Sequence, residues 1–225
     1  MRGPVESVRF PPRPSEGESR AAIVQFCRLL HQKGFLSAND GNVSVRLGGG
    51  RILVTPTGVA KAFIAPEDLI VVDEEGRKVA GARSATSELP MHLEVLRRRP
   101  DVEAVVHAHP PTSIALSLVR SPRLNDVLPE VILSLGRIEV VPYARPGTEA
   151  LARSLAGRIE RSDALILERH GTIAAGRSVA DAYFLTERLE HAAEVLWRAH
   201  ALGRPLPLPE AEARALLSAH EHPDG

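Results

Sequence analysis

Two histidines at the end of an apolar segment are well suited to metal chemistry. Residues 105–110 read Val-Val-His-Ala-His-Pro, which places imidazoles at His107 and His109. Alternate residues of a strand point to the same side, so both rings face one way with Cα atoms roughly 6.5 Å apart. Two neutral imidazoles at that separation can bind one transition-metal ion, with Zn–N bonds of about 2.0–2.1 Å. The pattern alone is equally compatible with one surface and one core histidine.

A third histidine would turn this pair into a metal site, and His170 is the best candidate. It follows the apolar run 164–167 and precedes Gly171, which puts it at a strand end, on a turn where functional residues gather. Three histidines with an open fourth position are typical of catalytic zinc, whereas structural zinc sites usually have four protein ligands. By spacing alone, His170 could equally be an ordinary turn residue.

Glu88 is the candidate acid/base. It lies at the start of a predicted helix, 86–99, which Thr86 or Ser87 can cap and whose N-terminal amides favour an anion. The ordinary alternative is a first-turn glutamate that complements the helix dipole. His92 lies one turn further on, and we interpret it as a packing or surface residue.

Two short polar loops complete the set of candidate residues. Residues 39–42 read Asn-Asp-Gly-Asn and residues 55–58 read Thr-Pro-Thr-Gly. Each offers amide or hydroxyl groups and a glycine that lets backbone N–H groups approach a ligand closely. Neither matches a P-loop or a dinucleotide-binding fingerprint, and each taken alone is a turn.

Hydrophobic periodicity and turn signals predict the elements that must position these residues. We predict helices at 18–33, 86–99, 111–119, 148–161 and 179–201 and a short C-terminal helix, with strands at 41–47, 51–55, 69–72, 77–79, 102–107, 138–141, 164–167 and 172–174. This pattern indicates one α/β domain, residues 18–225, with a mixed or antiparallel sheet. Residues 1–17 are predicted to form a flexible N-terminal arm.

Composition narrows the class of function. The 225 residues are 44% hydrophobic and 25% charged with a net charge of zero, as in an ordinary globular protein. No charge block suggests nucleic acid or a membrane surface as partner, and no signal peptide or long apolar run is evident. The single cysteine, Cys27, excludes an intrachain disulfide, so we expect a cytoplasmic protein.

The order of the motifs carries a resemblance. Gly-Asn-Val-Ser-Val-Arg at 41–46, Thr-Pro-Thr-Gly at 55–58, Thr-Ser-Glu at 86–88, His-Ala-His at 107–109 and Arg-His-Gly at 169–171 follow one another at these separations. Together they resemble the zinc-dependent class II aldolase/adducin family over residues 19–201, with activity on L-fuculose 1-phosphate as the nearest match. The resemblance implies a three-layer α/β/α fold with a largely antiparallel sheet. It also implies a homotetramer with active sites at subunit boundaries.

The resemblance also assigns roles to residues. It implies that His107, His109 and His170 bind Zn²⁺, and that Glu88 is the catalytic carboxylate and can approach the metal. Phosphate-binding positions fall on Asn42, Thr57, Gly58, Thr86 and Ser87. The implied reaction is cleavage of a ketose 1-phosphate to dihydroxyacetone phosphate and an aldehyde, through an enediolate that zinc stabilises as a Lewis acid.

The sequence departs from the family pattern at two places. Asn39 stands where the aldolases of this type have a threonine. In those aldolases the stretch that corresponds to 129–131 supplies a tyrosine proton donor to the neighbouring subunit. This sequence has no tyrosine there. The two tyrosines are Tyr143, which matches another family position, and Tyr183. The acid that serves the sugar hydroxyl is therefore unassigned.

Other activities share this scaffold. Pentulose-5-phosphate 4-epimerases, methylthioribulose-1-phosphate dehydratases and related decarboxylases are the enzymatic alternatives, although the epimerases tend to replace the carboxylate that Glu88 provides. A non-enzymatic adducin-like binding module is a further alternative, which the three histidines and Glu88 disfavour. A structural zinc site is disfavoured because no fourth ligand is evident.

Overall fold

A central sheet of eight strands organises the computed structural model, which describes residues 13–119 and 125–221. The strands are β1 Asn42–Leu47, β2 Arg51–Val54, β3 Ile70–Asp73, β4 Lys78–Ala80, β5 Ala104–Ala108, β6 Glu139–Val141, β7 Ala164–Leu167 and β8 Gly171–Gly176. The helices are α1 Glu16–Gln32, α2 Leu89–Arg98, α3 Pro111–Ser117, α4 Pro129–Leu135, α5 Glu149–Ser154, α6 Val179–Leu202 and α7 Glu210–Glu221.

The sheet has the order β4-β3-β2-β1-β5-β8-β7-β6. Every neighbouring pair is antiparallel except β6 and β7, which are parallel. The α/β fold with a largely antiparallel sheet and helices on both faces is therefore confirmed.

Both faces of the sheet are covered, so the central strands β1 and β5 are buried along almost their whole length. On one face, Val43 and Val106 pack into a core with α1 and α6. On the other face, Val105 and Ile173 pack into a core with α2 and α5. Because successive strand residues alternate between these two cores, a polar residue in β1 or β5 points at one helical layer and not the other.

Several predicted element boundaries shift. Helix α2 begins at Leu89, three residues later than predicted, so that Glu88 takes the N-cap position without a side-chain capping bond. The Thr86 hydroxyl instead accepts a hydrogen bond from the Glu88 amide at 3.3 Å. Helix α5 ends at Ser154 and the chain continues in turns. Helix α4, at Pro129–Leu135, has no counterpart among the sequence-predicted elements.

Residues 1–12 of the predicted N-terminal arm lie outside the described part of the chain. Its last residues belong to α1, because Ser15 caps the helix: its hydroxyl accepts from the Glu18 amide while the Glu18 carboxylate accepts from the Ser15 amide. In the part of the chain that the structure describes, no helix has the length and apolar character needed to cross a membrane.

Candidate metal centre and adjoining cleft

Antiparallel pairing brings the three histidines to one edge of the sheet. His107 lies in β5 and His109 directly follows that strand. Because β8 runs antiparallel to β5, its first residues lie beside the end of β5, with Thr172 opposite Ala108. His170 directly precedes β8 and is therefore delivered to the same place. The register of β1 puts Asn42 opposite His107, so a third strand joins the cluster.

The histidine cluster, defined as Glu88, His107, His109 and His170, offers four ligand atoms that all lie within 4.8 Å of one another. The ring centroids are 4.7–5.1 Å apart. His107 Nε2 lies 3.0 Å from His109 Nε2 and 3.3 Å from Glu88 Oε2. Glu88 Oε1 lies 3.1 Å from His170 Nε2. The sequence-predicted ligands thus converge on one point.

The protonation of these side chains suits a cation. The Nδ1 of fully buried His107 lies 2.8 Å from the Thr172 carbonyl oxygen, which can only accept, so Nδ1 carries a proton and Nε2 faces the cluster. Burial, together with the neighbouring His107 and His170, lowers the pKa of His109 to about 3. His109 is accordingly neutral and able to act as a ligand.

The Glu88 carboxylate supplies the negative charge of the cluster. Burial opposes its ionisation, but the His107 and His170 imidazoles and the Asn42 amide outweigh that effect and hold the pKa of Glu88 well below its usual range. The side-chain amide of Asn42 donates to Glu88 Oε2 at 2.9 Å. Glu88 is therefore ionised and fixed in direction.

The donor set fits a divalent metal ion. Two buried polar atoms of the cluster, Glu88 Oε1 and His170 Nδ1, lack a hydrogen bond of ordinary geometry among the described residues. Such orphaned buried atoms are costly unless another group satisfies them. Three imidazoles beside one carboxylate form the type of set that zinc takes in catalytic sites.

Two glycines permit this crowding. A Cβ atom on Gly171 would lie 2.3 Å from the Ala108 carbonyl oxygen and 2.9 Å from His109 Cδ2. A Cβ on Gly41 would lie 2.8 Å from the His107 carbonyl oxygen, and Gly41 also has a φ of +67°. The glycines of the Arg-His-Gly and Asp-Gly-Asn segments are thus required by close packing around the histidines.

A polar cleft of about 150 Å³ opens beside the cluster. All five residues predicted to bind phosphate line it, together with Glu88 and His109: Asn42, Thr57, Gly58, Thr86 and Ser87. The 55–58 loop lies beside the segment that precedes α2, because the Thr86 amide donates to the Thr55 carbonyl and Pro56 forms a bridge with Ala85. The Asn42 carboxamide, however, is engaged by Glu88 and His92 within the protein.

Sequence reasoning missed Lys61, which also lines the cleft. The residue is almost fully buried, and its ammonium group donates to the carbonyl oxygens of Asn39 at 2.9 Å and Val59 at 2.8 Å. Burial lowers the pKa of Lys61, while Asp40 and Glu88 are among the groups that oppose this effect. Lys61 therefore ties the 39–42 loop to the segment after Thr57. A lysine in an arginine-rich chain was the only available signal.

His92, interpreted from sequence as a packing or surface residue, lies in the interior and has polar partners that sequence reasoning did not predict. It is fully buried, and both of its ring nitrogens have polar partners: Nδ1 lies 2.7 Å from Ser44 Oγ and Nε2 lies 2.5 Å from Asn42 Oδ1. Burial and the nearby His107 lower the pKa of His92 to about 3, so the ring is neutral. Its position four residues after Glu88 was the signal that could have found it.

Neither tyrosine lines the cleft. Tyr143 has an exposed side chain, and its backbone amide donates to the Glu168 carboxylate at 2.9 Å. Tyr183 is buried in the core against Phe26, with ring centroids 5.2 Å apart. The described lining of the cleft thus contains no phenol.

The sequence matches the family described as Class II Aldolase and Adducin N-terminal domain over residues 21–197. A 3-oxo-tetronate 4-phosphate decarboxylase from Haemophilus influenzae is 33% identical over 179 residues, which are 78% of this chain and 85% of that protein. A 5-methylthioribulose-1-phosphate/5-deoxyribulose-1-phosphate aldolase from Rhodospirillum rubrum is 34% identical over 198 residues, 88% of this chain and 89% of that protein.

A crystal structure of an L-fuculose-1-phosphate aldolase from Thermus thermophilus has the same fold. It superposes with a TM-score of 0.74 at 35% sequence identity, and the match covers 84% of this chain and 99% of the other. Three differently named activities are thus found among proteins of similar sequence and fold.

Proposed function

Because this chain belongs to the class II aldolase and adducin family, we propose that it is a zinc-dependent lyase acting on a phosphorylated 2-keto-3-hydroxy compound. The bond that breaks is the one beyond the hydroxyl-bearing carbon next to the carbonyl. The product is dihydroxyacetone phosphate, formed through its enediolate. The leading candidate substrate is a ketose 1-phosphate of the L-fuculose type, whose second product is an aldehyde.

The three relatives share this chemistry under different names. Both named aldolase activities cleave a ketose 1-phosphate, and loss of CO2 from a 3-oxo-tetronate 4-phosphate leaves the same three-carbon enediolate. The electron pair of the broken bond goes to the hydroxyl-bearing carbon in each reaction. A proton must then be added at that carbon to give dihydroxyacetone phosphate.

One observation carries the proposal: the histidine cluster lies at the edge of a cleft that all five polar candidates line. His107, His109 and His170 would hold the metal, and Glu88 would move the proton at the reacting carbon. A bound zinc ion supplies Lewis-acid stabilisation of negative charge on the substrate oxygens. We further propose that Asn42, Thr57, Gly58, Thr86 and Ser87 bind the phosphate group through amides and hydroxyls.

Decarboxylation is a second candidate that one observation favours. Retro-aldol cleavage needs a group that accepts the proton of the alcohol that becomes the aldehyde, whereas a carboxylate leaves as CO2 without losing a proton. The described residues that line the cleft include no tyrosine. Asp40, whose carboxylate lies 3.5 Å from His109 Nδ1 and is about half exposed, is the described acidic residue nearest to that role.

An assay for dihydroxyacetone phosphate separates these candidates. The zinc-loaded protein is incubated with L-fuculose, L-rhamnulose and ribulose 1-phosphates and with a 3-oxo-tetronate 4-phosphate, and the product is measured by coupled NADH oxidation. We expect release from at least one of the four compounds and no release after treatment with EDTA. Isomerisation of a pentulose 5-phosphate without cleavage would favour the 4-epimerase instead.

We also propose a cytoplasmic homotetramer with active sites at the subunit boundaries, with a sugar phosphate as the bound small molecule. Large apolar side chains on the surface of the single chain support association: Phe63, Leu118, Val119, Leu133, Tyr143, Phe184 and Trp197. Light scattering at micromolar concentration tests the assembly. A mass of one chain would contradict it.

A further inference from the structure

A buried row of polar side chains leads from the core to Glu88. Asn42 and Ser44 alternate on β1 and so point to the same side of the sheet. Glu88 and His92 lie one turn apart at the start of α2. Between these elements the order is Ser44, His92, Asn42 and Glu88, joined by contacts of 2.7, 2.5 and 2.9 Å. We call this row the Ser44–Glu88 relay.

Hydrogen-bond chemistry gives the relay one direction. The ionised Glu88 carboxylate can only accept, so the Asn42 carboxamide turns its NH2 group toward Glu88 and its oxygen toward His92. An amide oxygen also only accepts, which requires a proton on His92 Nε2. In the neutral ring, Nδ1 is then an acceptor, and the Ser44 hydroxyl donates to it. Each of the three contacts of the relay then joins one donor to one acceptor.

The relay is sealed from solvent. Ser44 and His92 are fully buried, and Asn42 is 3% exposed. A buried amide that flipped would place its oxygen against a carboxylate and its NH2 group against the His92 N–H. In a site of low dielectric constant both contacts are repulsive, so the Glu88 charge and the His92 proton together hold the Asn42 orientation.

We propose that Ser44 and His92 are positioning residues that act through Asn42 to hold the charged Glu88 carboxylate in the direction required for proton transfer. The inference rests on the proposed catalytic role of Glu88. It also assigns one N–H of the Asn42 carboxamide to Glu88, and the second N–H is left for the phosphate group in the cleft. None of the steps requires a change of charge on His92.

The tautomer of His92 tests the relay without any substrate. In the full-length, zinc-loaded, 15N-labelled protein, long-range nitrogen–proton NMR correlations report which ring nitrogen carries hydrogen. The signals of His92 are assigned among the nine histidines by their loss in His92→Gln. We expect a neutral ring protonated at Nε2. A proton on Nδ1, or on both nitrogens at neutral pH, would overturn the relay.

Exchange kinetics test whether the relay acts through Glu88. The probe is solvent deuterium incorporation into the hydroxymethyl carbon of dihydroxyacetone phosphate. His92→Leu, which cannot donate, should lower the rate constant about 10- to 100-fold at little change in KM, as loss of an outer partner does. His92→Gln, which can donate to Asn42, should recover most of the rate. The surface variant His191→Gln is the control.

A double mutant separates positioning from general damage. In a Glu88→Gln background, His92→Leu should change the residual exchange by less than about twofold, because the partner it orients is gone. An equal loss in both backgrounds, or no rescue by His92→Gln, would show a merely structural role and overturn the inference. If the wild-type protein catalyses no exchange, the proposed function fails, and the tautomer alone decides whether the relay exists.

Discussion

The two ends of the paired strands β5 and β8 differ in how their charged and polar side chains are hydrogen-bonded. At one end lies the histidine cluster, with imidazole nitrogens turned toward one another and two buried atoms without ordinary hydrogen bonds. At the other end, next to the pairing of Ala104 with Gly176, lies Arg99 with its partners. We call Arg99, Asp101 and Asp163 the arginine cluster.

The arginine cluster is satisfied by the protein itself. The Arg99 guanidinium donates to Asp101 at 2.7 and 2.9 Å, to Asp163 at 2.8 Å and to the Ile159 carbonyl at 3.0 Å. Hydrogen bonds to Asp101 and Asp163 raise the pKa of Arg99 against the effect of burial. A cluster of this kind stabilises the fold and has no need of a ligand.

Backbone strain is also found at the histidine end of the strands. Among the described residues, the non-glycine residues with positive φ are Ala38 at +47° and Arg169 at +62°. Ala38 precedes the 39–42 loop, and Arg169 precedes His170. Strain of this kind costs of order 1–3 kcal/mol and is found where function requires a particular geometry. Both strained residues thus lie beside the histidine cluster, whereas the arginine cluster is held by hydrogen bonds within the protein.

The largest difference between the ends should be seen in Glu88→Gln. We expect turnover to fall by about 10²- to 10⁴-fold, the usual contribution of general acid–base catalysis. Bound zinc should remain at wild-type stoichiometry, because the three imidazoles are intact. Steady-state kinetics together with metal analysis check this, and a fully active variant would remove Glu88 from the mechanism.

Gly171→Ala should damage both the fold and the metal site. The added methyl would lie 2.3 Å from the Ala108 carbonyl oxygen, and overpacking of this kind costs about 1–3 kcal/mol or more. Zinc retention should fall as His109 is displaced. Denaturant unfolding and metal analysis measure both effects.

Gly17→Ala is the matched control for this substitution, because its Cβ meets nothing within 4 Å and the residue lies in α1. We expect a gain in stability of about 0.5–1 kcal/mol there. A Gly171→Ala protein as stable and as metal-rich as the wild type would show that the histidine end is loosely packed.

Arg99→Met should have the opposite profile. We expect a loss of about 1–3 kcal/mol in the free energy of unfolding, because Asp163 and the Ile159 carbonyl lose their charged donor. Activity and bound zinc should be unchanged. The Arg97 side chain is 66% exposed and contacts Glu94 at 2.5 Å, so Arg97→Met should cost less than about 1 kcal/mol. A loss of activity in Arg99→Met would show that the arginine cluster also contributes to function.

Arg169→Gly should have the smallest effect. Glycine adopts positive φ without steric cost, which offsets its larger entropy in the unfolded chain. We expect a change between about 0 and +1 kcal/mol in the free energy of unfolding, measured by denaturant titration. Destabilisation by more than about 1 kcal/mol would mean that the Arg169 side chain, and not backbone strain, determines this turn.

Much of this molecule is predictable from sequence because its signals are local. The apolar runs around 105 and 165 fix two central strands, and the spacing of His107 and His109 predicts their common direction. Antiparallel pairing then brings in His170. The confirmed fold and the convergence of the candidate ligands follow from these features.

What sequence reasoning missed depends on tertiary register. His92 lies on the buried face of α2, and only the packing of β1 against α2 brings Ser44 and Asn42 to its two nitrogens. The Lys61 ammonium likewise depends on the carbonyl of Asn39, which lies 22 residues away in the sequence. Such partners are set by packing between elements, for which a single sequence carries no local signal.

Solvent deuterium exchange is the most direct test of whether the histidine cluster is a metal-dependent site that forms the enediolate. The zinc-loaded protein is incubated in D2O with dihydroxyacetone phosphate, and NMR follows deuterium at the hydroxymethyl carbon before and after EDTA treatment and zinc reloading. We expect stereospecific incorporation of one deuterium that stops with EDTA and returns with zinc. Incorporation no faster than in buffer, or unchanged by EDTA, would contradict a metal-dependent site that forms the enediolate.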